Sequence, residues 1–190
     1  MKISEPPRSR HFSLVNVEKI RPGISKKKDV LGILGEPDEH LDLTQVTYQK
    51  SDSDCWSYLE EPYKAEDRVS VEFPPNSDIV LSVGWAVREG EPEQSLEVAK
   101  AHFPSGTFER QKMPDLNPHT AETRVFYKEK QLGGLIIYES VKHRVESIAW
   151  MQPTELVKAT ALENFVYPEV CIQGHCAHSS PEIERKLSGE

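Results

Sequence analysis

Cysteine is scarce in this chain, and long apolar runs are missing altogether. Three cysteines, Cys55, Cys171 and Cys176, are too few and too odd in number for a disulfide scaffold in 190 residues. No segment approaches the ~20 consecutive apolar residues of a membrane-spanning helix. The opening residues, MKISEPPRSRHFS, lack the apolar core and small-residue cleavage site of a signal peptide. A native start at Met1 therefore predicts a cytoplasmic protein, whereas an upstream segment would leave export open. Excess positive charge is absent too. The formal net charge is −8, and residues 1–90 carry 12 basic and 16 acidic groups against 11 and 15 in residues 91–190. With no basic half to neutralise a phosphate backbone, nucleic acid is excluded as the expected partner. Also missing are Gly-x-Ser-x-Gly, a phosphate-binding glycine loop and His-Glu-x-x-His. No enzymatic activity and no cofactor are expected.

What is present is mostly strand-like, punctuated by short helices. Residues 1–13, with Pro6 and Pro7, are expected to be a disordered polar leader. RPG at 21–23 is turn chemistry, and Ser25 is the expected N-cap of a short helix. Val30, Ile33 and Leu34 have the spacing of one buried helix face, with Gly35 and Pro37 stopping the helix. With Lys28 three residues beyond Ser25, no capping box is expected. A helix this short is unstable alone in water and must pack on something. Strands are predicted over 44–49, 55–60, 68–73 and 78–87, the last with Ile79, Leu81, Val83, Trp85 and Val87 alternating on one face.

The order then repeats. Residues 93–103 predict a helix with Leu96, Ala99 and Phe103 on one side, and 123–129, 134–140 and 145–152 predict strands. Leu34 to Phe103 and Tyr58 to Tyr127 are both offset by 69, and Trp85 to Trp150 by 65. The expected organisation is a leader (1–13), a first α/β unit (14–88), a second (89–153), and a closing helix at 154–162 followed by an irregular tail to 190. The fold class is α+β: two tandem helix-plus-antiparallel-sheet units, with the short helices on one sheet face.

Ile20, Gly23, Ser25, Val30, Leu34, Gly35 and Pro37, followed by Trp56 and Tyr58 in CWSY, give a pattern that resembles the SmpA/OmlA family. These are small outer-membrane lipoproteins of the BamE type that support β-barrel assembly. The tandem layout is similar to that of the β-lactamase inhibitory proteins. The resemblance covers about 40 residues well, and the second unit matches by layout only. It implies a cell-envelope (periplasmic or outer-membrane associated) or secreted binding module. A soluble inhibitor-type binder is the alternative, ahead of a cytosolic enzyme or metal-binding protein. The family's lipidated cysteine has no counterpart here, since no cysteine precedes Cys55.

Three groups of residues are candidates for function. Trp56, Tyr58, Tyr127 and Tyr138 are each either core residues, the commoner case for any single aromatic, or anchors for a protein partner on the sheet face that helices leave uncovered, where they are the expected contacts. Lys26, Lys27 and Lys28 stand at the helix start, where the dipole disfavours cations. They are either a solvated helix end or a contact for an anionic surface such as lipid head groups. In the tail, CIQGHCAH holds Cys171, His175, Cys176 and His178. A zinc site is disfavoured, because adjacent His175 and Cys176 do not both face one tetrahedral ion. A Cys171–Cys176 disulfide, with Gly174 easing the turn, is expected on export, and thiols otherwise. Cys55 is expected to remain a thiol, at least partly buried.

Overall fold

The computed structural model describes residues 11–42, 54–60, 67–103, 106–112 and 124–154. Within them, α1 (Leu14–Val17) and α2 (Lys27–Leu34) precede β1 (Glu39–Asp42), β2 (Asp54–Leu59), β3 (Asp67–Phe73) and β4 (Ser82–Ala86). A 3-10 turn (Pro92–Gln94) and α3 (Leu96–Ala101) lead into β5 (Phe108–Lys112), β6 (Arg124–Glu129), β7 (Gly134–Glu139) and β8 (Arg144–Met151). The described strands make one open antiparallel sheet in the order β1-β2-β3-β4-β8-β7-β6-β5. The fold is α+β, with the short helices packed on one face of this large sheet, as expected. The expected strand at 44–49, nearly all of the closing helix and the Cys171–Cys176 tail lie outside the described residues.

The opening turn explains how so short a helix is held. Gly23 has φ +80°, and its N–H donates to the Val80 carbonyl (2.8 Å). Val80 N–H donates to the Ser25 carbonyl, and Lys27 N–H to Asp78, each at 2.8 Å. Residues 23–27 are thereby laced to the segment entering β4, and tertiary contact replaces the length that α2 lacks. The N-cap is Lys26, one residue later than expected, while the Ser25 hydroxyl accepts from Arg21 N–H (2.8 Å) inside the turn. The shift brings Asp29 to the third helical position, where its carboxylate accepts from Lys26 N–H (2.9 Å). Asp29 thus supplies the carboxylate half of a capping box, while its own N–H donates to the Lys26 backbone carbonyl (2.9 Å), because a lysine side chain has no acceptor. The helix ends as predicted at Gly35, and the Tyr58 hydroxyl donates to the Gly35 carbonyl (3.3 Å).

The main core lies between helices and sheet: Leu14, Val17, Val30 and Leu34 from the helical side, and Val69, Val71, Phe73, Val83, Trp85, Ile136 and Ile148 from the strands. Each fully buried large apolar side chain contributes roughly 1.5–3 kcal/mol. The expected 78–87 alternation holds only from Val83 on: Val80 is in the core and Leu81 is half-buried, because the bridge Lys26↔Ile79 bends the chain before β4 begins. A second buried apolar cluster, Phe126, Leu135, Ile137, Ala149 and Met151, lies on the opposite face.

Arg68 fastens the centre. A bulge after Tyr58 leaves it without a cross-strand partner, since Tyr58 pairs with Val69 and Leu59 with Asp67. It is 3% exposed, stacks 3.5 Å over the Trp85 ring and lies 3.0 Å from Glu60 Oε2. It also donates to the Ala86 carbonyl and to both oxygens of Glu91 in the connection that follows β4. Nearby, His102 after α3 lies 2.7 Å from Glu18 of the α1 C-cap and 3.8 Å from Glu93, joining the two helical ends of the molecule.

Candidate functional site

The four expected anchors do not lie on the face free of helices. Cross-strand partners share a face, and the register puts Trp56 with Val71, Tyr58 with Val69, Tyr127 with Ile136 and Tyr138 with Val125. All four belong to the helix-side core or pack against it. Trp56 is 8% exposed and tilts against Phe73, while Tyr58 is 0% exposed and meets Phe12 edge-on. These two are core residues, which corrects the expectation of exposed anchors at 56 and 58. Strand periodicity fixes which residues share a face, but it leaves open which face the helices cover.

The other face has a different character. Among the described strands, Phe126 is the sole aromatic the register puts there, amid Ser57, Ser70, Gly84, Ser147 and the second apolar cluster. Cys55 is on this face and fully buried, in keeping with its expected state. Open sheets with one face free of described helices suit protein association in general, but these residues specify no partner.

Tyr127 and Tyr138 differ from the first two. Both are half-buried, as diagonal neighbours on β6 and β7 with rings 6.2 Å apart at 85°. Helix α3 is only six residues long and meets this pair through Lys100. Its Lys100 ammonium sits 4.9 Å over the Tyr127 ring and 5.8 Å over Phe108. Arg110 is directly opposite Tyr127, and Lys112 opposite Val125, so both cations share this face. Both are exposed, on a strand that has β6 on one side and no described neighbour on the other. Glu97, 84% exposed and 3.5 Å from Lys100, is the acidic group at this rim. The patch thus has an aromatic floor of Phe108, Tyr127 and Tyr138, with a basic outer margin.

On the reverse side of β5, Glu109 lies 2.5 Å from Lys130 and 3.7 Å from Lys128. The hydrogen bond from Lys130, and then the charges of Lys128 and Lys130, hold its carboxyl below the ordinary value. On this reverse face the strand's carboxylate is held by two lysines, whereas Arg110 and Lys112 on the helix side have no described carboxylate as cross-strand partner.

The three lysines divide. Lys27 is 2.8 Å from Asp54 of β2, and its ammonium covers the rings of Phe73 (5.0 Å) and Trp56 (5.8 Å). Lys26 stands 3.6 Å from Asp78. Lys28 is exposed. The cluster therefore closes the edge of the core at Lys27 and meets solvent at Lys26 and Lys28. Sequence reasoning missed the basic side of β5, because FERQK shows no apolar alternation. An Arg-x-Lys on one strand face was the available signal.

A shallow cleft of about 290 Å³ between α1 and α2 is lined by Phe12, Asn16, Ile33, Leu34, His11 and Glu36. Among the described residues, no three His, Cys, Asp or Glu side chains cluster to hold a metal, and no helix is long and apolar enough to cross a membrane. No protein-family model and no curated protein matches the chain. A solved structure of a DUF4309 family protein from Bacillus subtilis is similar at 9% identity over 73% of this chain and 91% of that one, with a TM-score of 0.33. Likeness at that level identifies neither fold family nor function.

Proposed function

We propose that the chain is a non-enzymatic protein-binding module of the cell envelope or secreted space, built from two tandem helix-plus-four-strand units. The element order supports the duplication. Tyr58 and Tyr127 are on the second strand of each set, β2 and β6, and Trp85 and Trp150 on the fourth, β4 and β8. The junction supports it further. An offset of 65 makes Trp85 equivalent to Trp150 and Val83 to Ile148. The observed pairs Val83↔Trp150 and Trp85↔Ile148 are then one pairing made twice, about Gly84↔Ala149. That is the self-complementary contact of a two-fold dimer, here within one chain. The SmpA/OmlA resemblance agrees with this layout, since Ile20, Gly23, Ser25, Val30, Leu34 and Gly35 all serve the turn, the helix or its stop.

The observation that carries binding is the half-exposed Tyr127–Tyr138 pair beside Lys100 of α3, an aromatic surface rather than an enclosed pocket. Tyrosines in such settings supply much of the affinity of protein interfaces. The test is capture of partners from native extract by the full chain, repeated with Tyr127→Ala and Tyr138→Ala after circular dichroism has established folding. Loss of capture in the folded variants supports the reading, and retention in both overturns it. The precursor's N-terminus sorts the location: a signal ending in a lipidation cysteine fits the assembly-lipoprotein type, and a signal without it fits the inhibitor type.

A further inference from the structure

We infer that the partner is a protein that contributes an acidic, extended segment, and that this segment lies along the outer edge of β5 on the Tyr127–Tyr138 side. The inference deepens the binding-module reading and rests on it. Its basis is unmatched positive charge at an exposed edge. The chain is net −8, yet among the described residues this side of β5 carries Arg110, Lys112 and Lys100 against Glu97 at the rim and the buried Glu129 opposite Phe108. Arg110 and Lys112 are both exposed, and on the helix side of β5 no described carboxylate stands opposite either: their cross-strand partners are Tyr127 and Val125. By contrast, Glu109 on the reverse side is matched by Lys128 and Lys130.

An edge strand presents unpaired N–H and C=O groups that an extended peptide satisfies by adding a strand. Side chains of an added strand alternate, so every second residue faces the helix side. Carboxylates at those positions meet Arg110 and Lys112, and apolar or aromatic side chains meet the floor of Phe108, Tyr127 and Tyr138. A basic segment brings like charge to the same positions. The guanidinium of Arg110 adds a planar donor fork suited to a carboxylate.

The experiment uses the full chain and two labelled peptides, one alternating Glu and Val and its twin alternating Lys and Val, followed by fluorescence anisotropy at about 0.05 M and about 0.3 M salt. The acidic peptide should bind at least tenfold more tightly than its twin, and more weakly at the higher salt. The double change Arg110→Glu with Lys112→Glu, at exposed positions and verified as folded by its melting curve, should reverse the preference. A proline placed centrally in the acidic peptide should abolish binding, because strand addition needs the backbone N–H. Equal binding of the two peptides, no binding of either, or unimpaired binding of the proline peptide overturns the inference. So does a double variant that self-associates while its peptide preference is unchanged, since the cations are then guards of a bare edge. If partner capture is lost in Tyr127→Ala but survives charge reversal, the binding surface stands and the acidic segment falls. If capture survives in Tyr127→Ala and Tyr138→Ala as well, the binding reading itself falls.

Discussion

Replacing Arg68 by alanine should be among the most damaging single changes in the molecule. Arg68 is 3% exposed, and its guanidinium stacks on Trp85, lies 3.0 Å from Glu60 and bonds Glu91 and the Ala86 carbonyl. Losing one member of a buried charge network costs about 3–5 kcal/mol, much of it from the charges left behind. The lower end applies, because the side chains of Glu60 and Glu91 keep 12% and 26% of their exposure and regain some water. An unfolding free-energy loss of about 3 kcal/mol is expected for Arg68→Ala, a large share of the ~5–15 kcal/mol that holds a domain together. Arg68→Met keeps an apolar stem against Trp85 and should lose about 2 kcal/mol. Arg68→Lys should fare little better, since an ammonium has no planar fork. Urea denaturation followed by tryptophan fluorescence reads the losses. A double-mutant cycle of Arg68→Met with Glu91→Gln should show coupling of about 1–2 kcal/mol. A loss below about 1 kcal/mol for Arg68→Ala, with no coupling to Glu91, would refute a fastening role, because only a solvated arginine behaves that way.

Other consequences are smaller and as easily checked. Lys27→Ala should destabilise by about 1 kcal/mol, since the half-exposed pair with Asp54 is screened and the ring contacts are modest, whereas Lys28→Ala should be neutral or gain a few tenths at the helix start; urea midpoints distinguish the two. Gly32 is inside α2 with nothing within 4 Å of an added Cβ, so Gly32→Ala should stabilise by about 0.5–1 kcal/mol in the same assay. Gly133→Ala should do the reverse and lower the melting temperature: its φ is +75°, and a Cβ there would stand 1.8 Å from the Met151 carbonyl oxygen. Glu109 should titrate by NMR below the ordinary 4.5, and Lys130→Met should move it back towards that value. Because its folded value is the depressed one, the associated stability is present above about pH 4.5 and is lost as pH falls through the folded value.

The sequence was most legible where local chemistry and tertiary packing agree. Gly35 and Pro37 marked the end of α2 to the residue, and β2, β3, β6, β7 and β8 appeared within a residue of their observed ends, because short runs rich in β-branched and aromatic residues are bounded by polar turns. β1 and β5, at the sheet's edges, were missed for the opposite reason. EHLD and FERQK carry charge where an inner strand carries valine, as edges do. The Lys26 cap was misplaced because the turn consumes the Ser25 hydroxyl, which no cap preference anticipates. Arg68 drew no notice as the first residue of the strand predicted over 68–73, and its place over Trp85, beside the bulge after Tyr58, is a tertiary arrangement. At the candidate site, the pairing of Tyr127 and Tyr138 on one face was foreseeable by position. Their half-exposure depends on how the helical side packs over β6 and β7, and that is a tertiary fact.

Hydrogen–deuterium exchange of the full chain, alone and with a captured partner, tests the binding surface most directly. Slowed exchange is expected along β5 (108–112), with further slowing at 126–128 and 136–138, and no change around 26–28. Slowed exchange at 26–28 with β5 unaffected would contradict it, because the partner would then be held at the start of α2 by its exposed lysines rather than at the aromatic edge of the sheet.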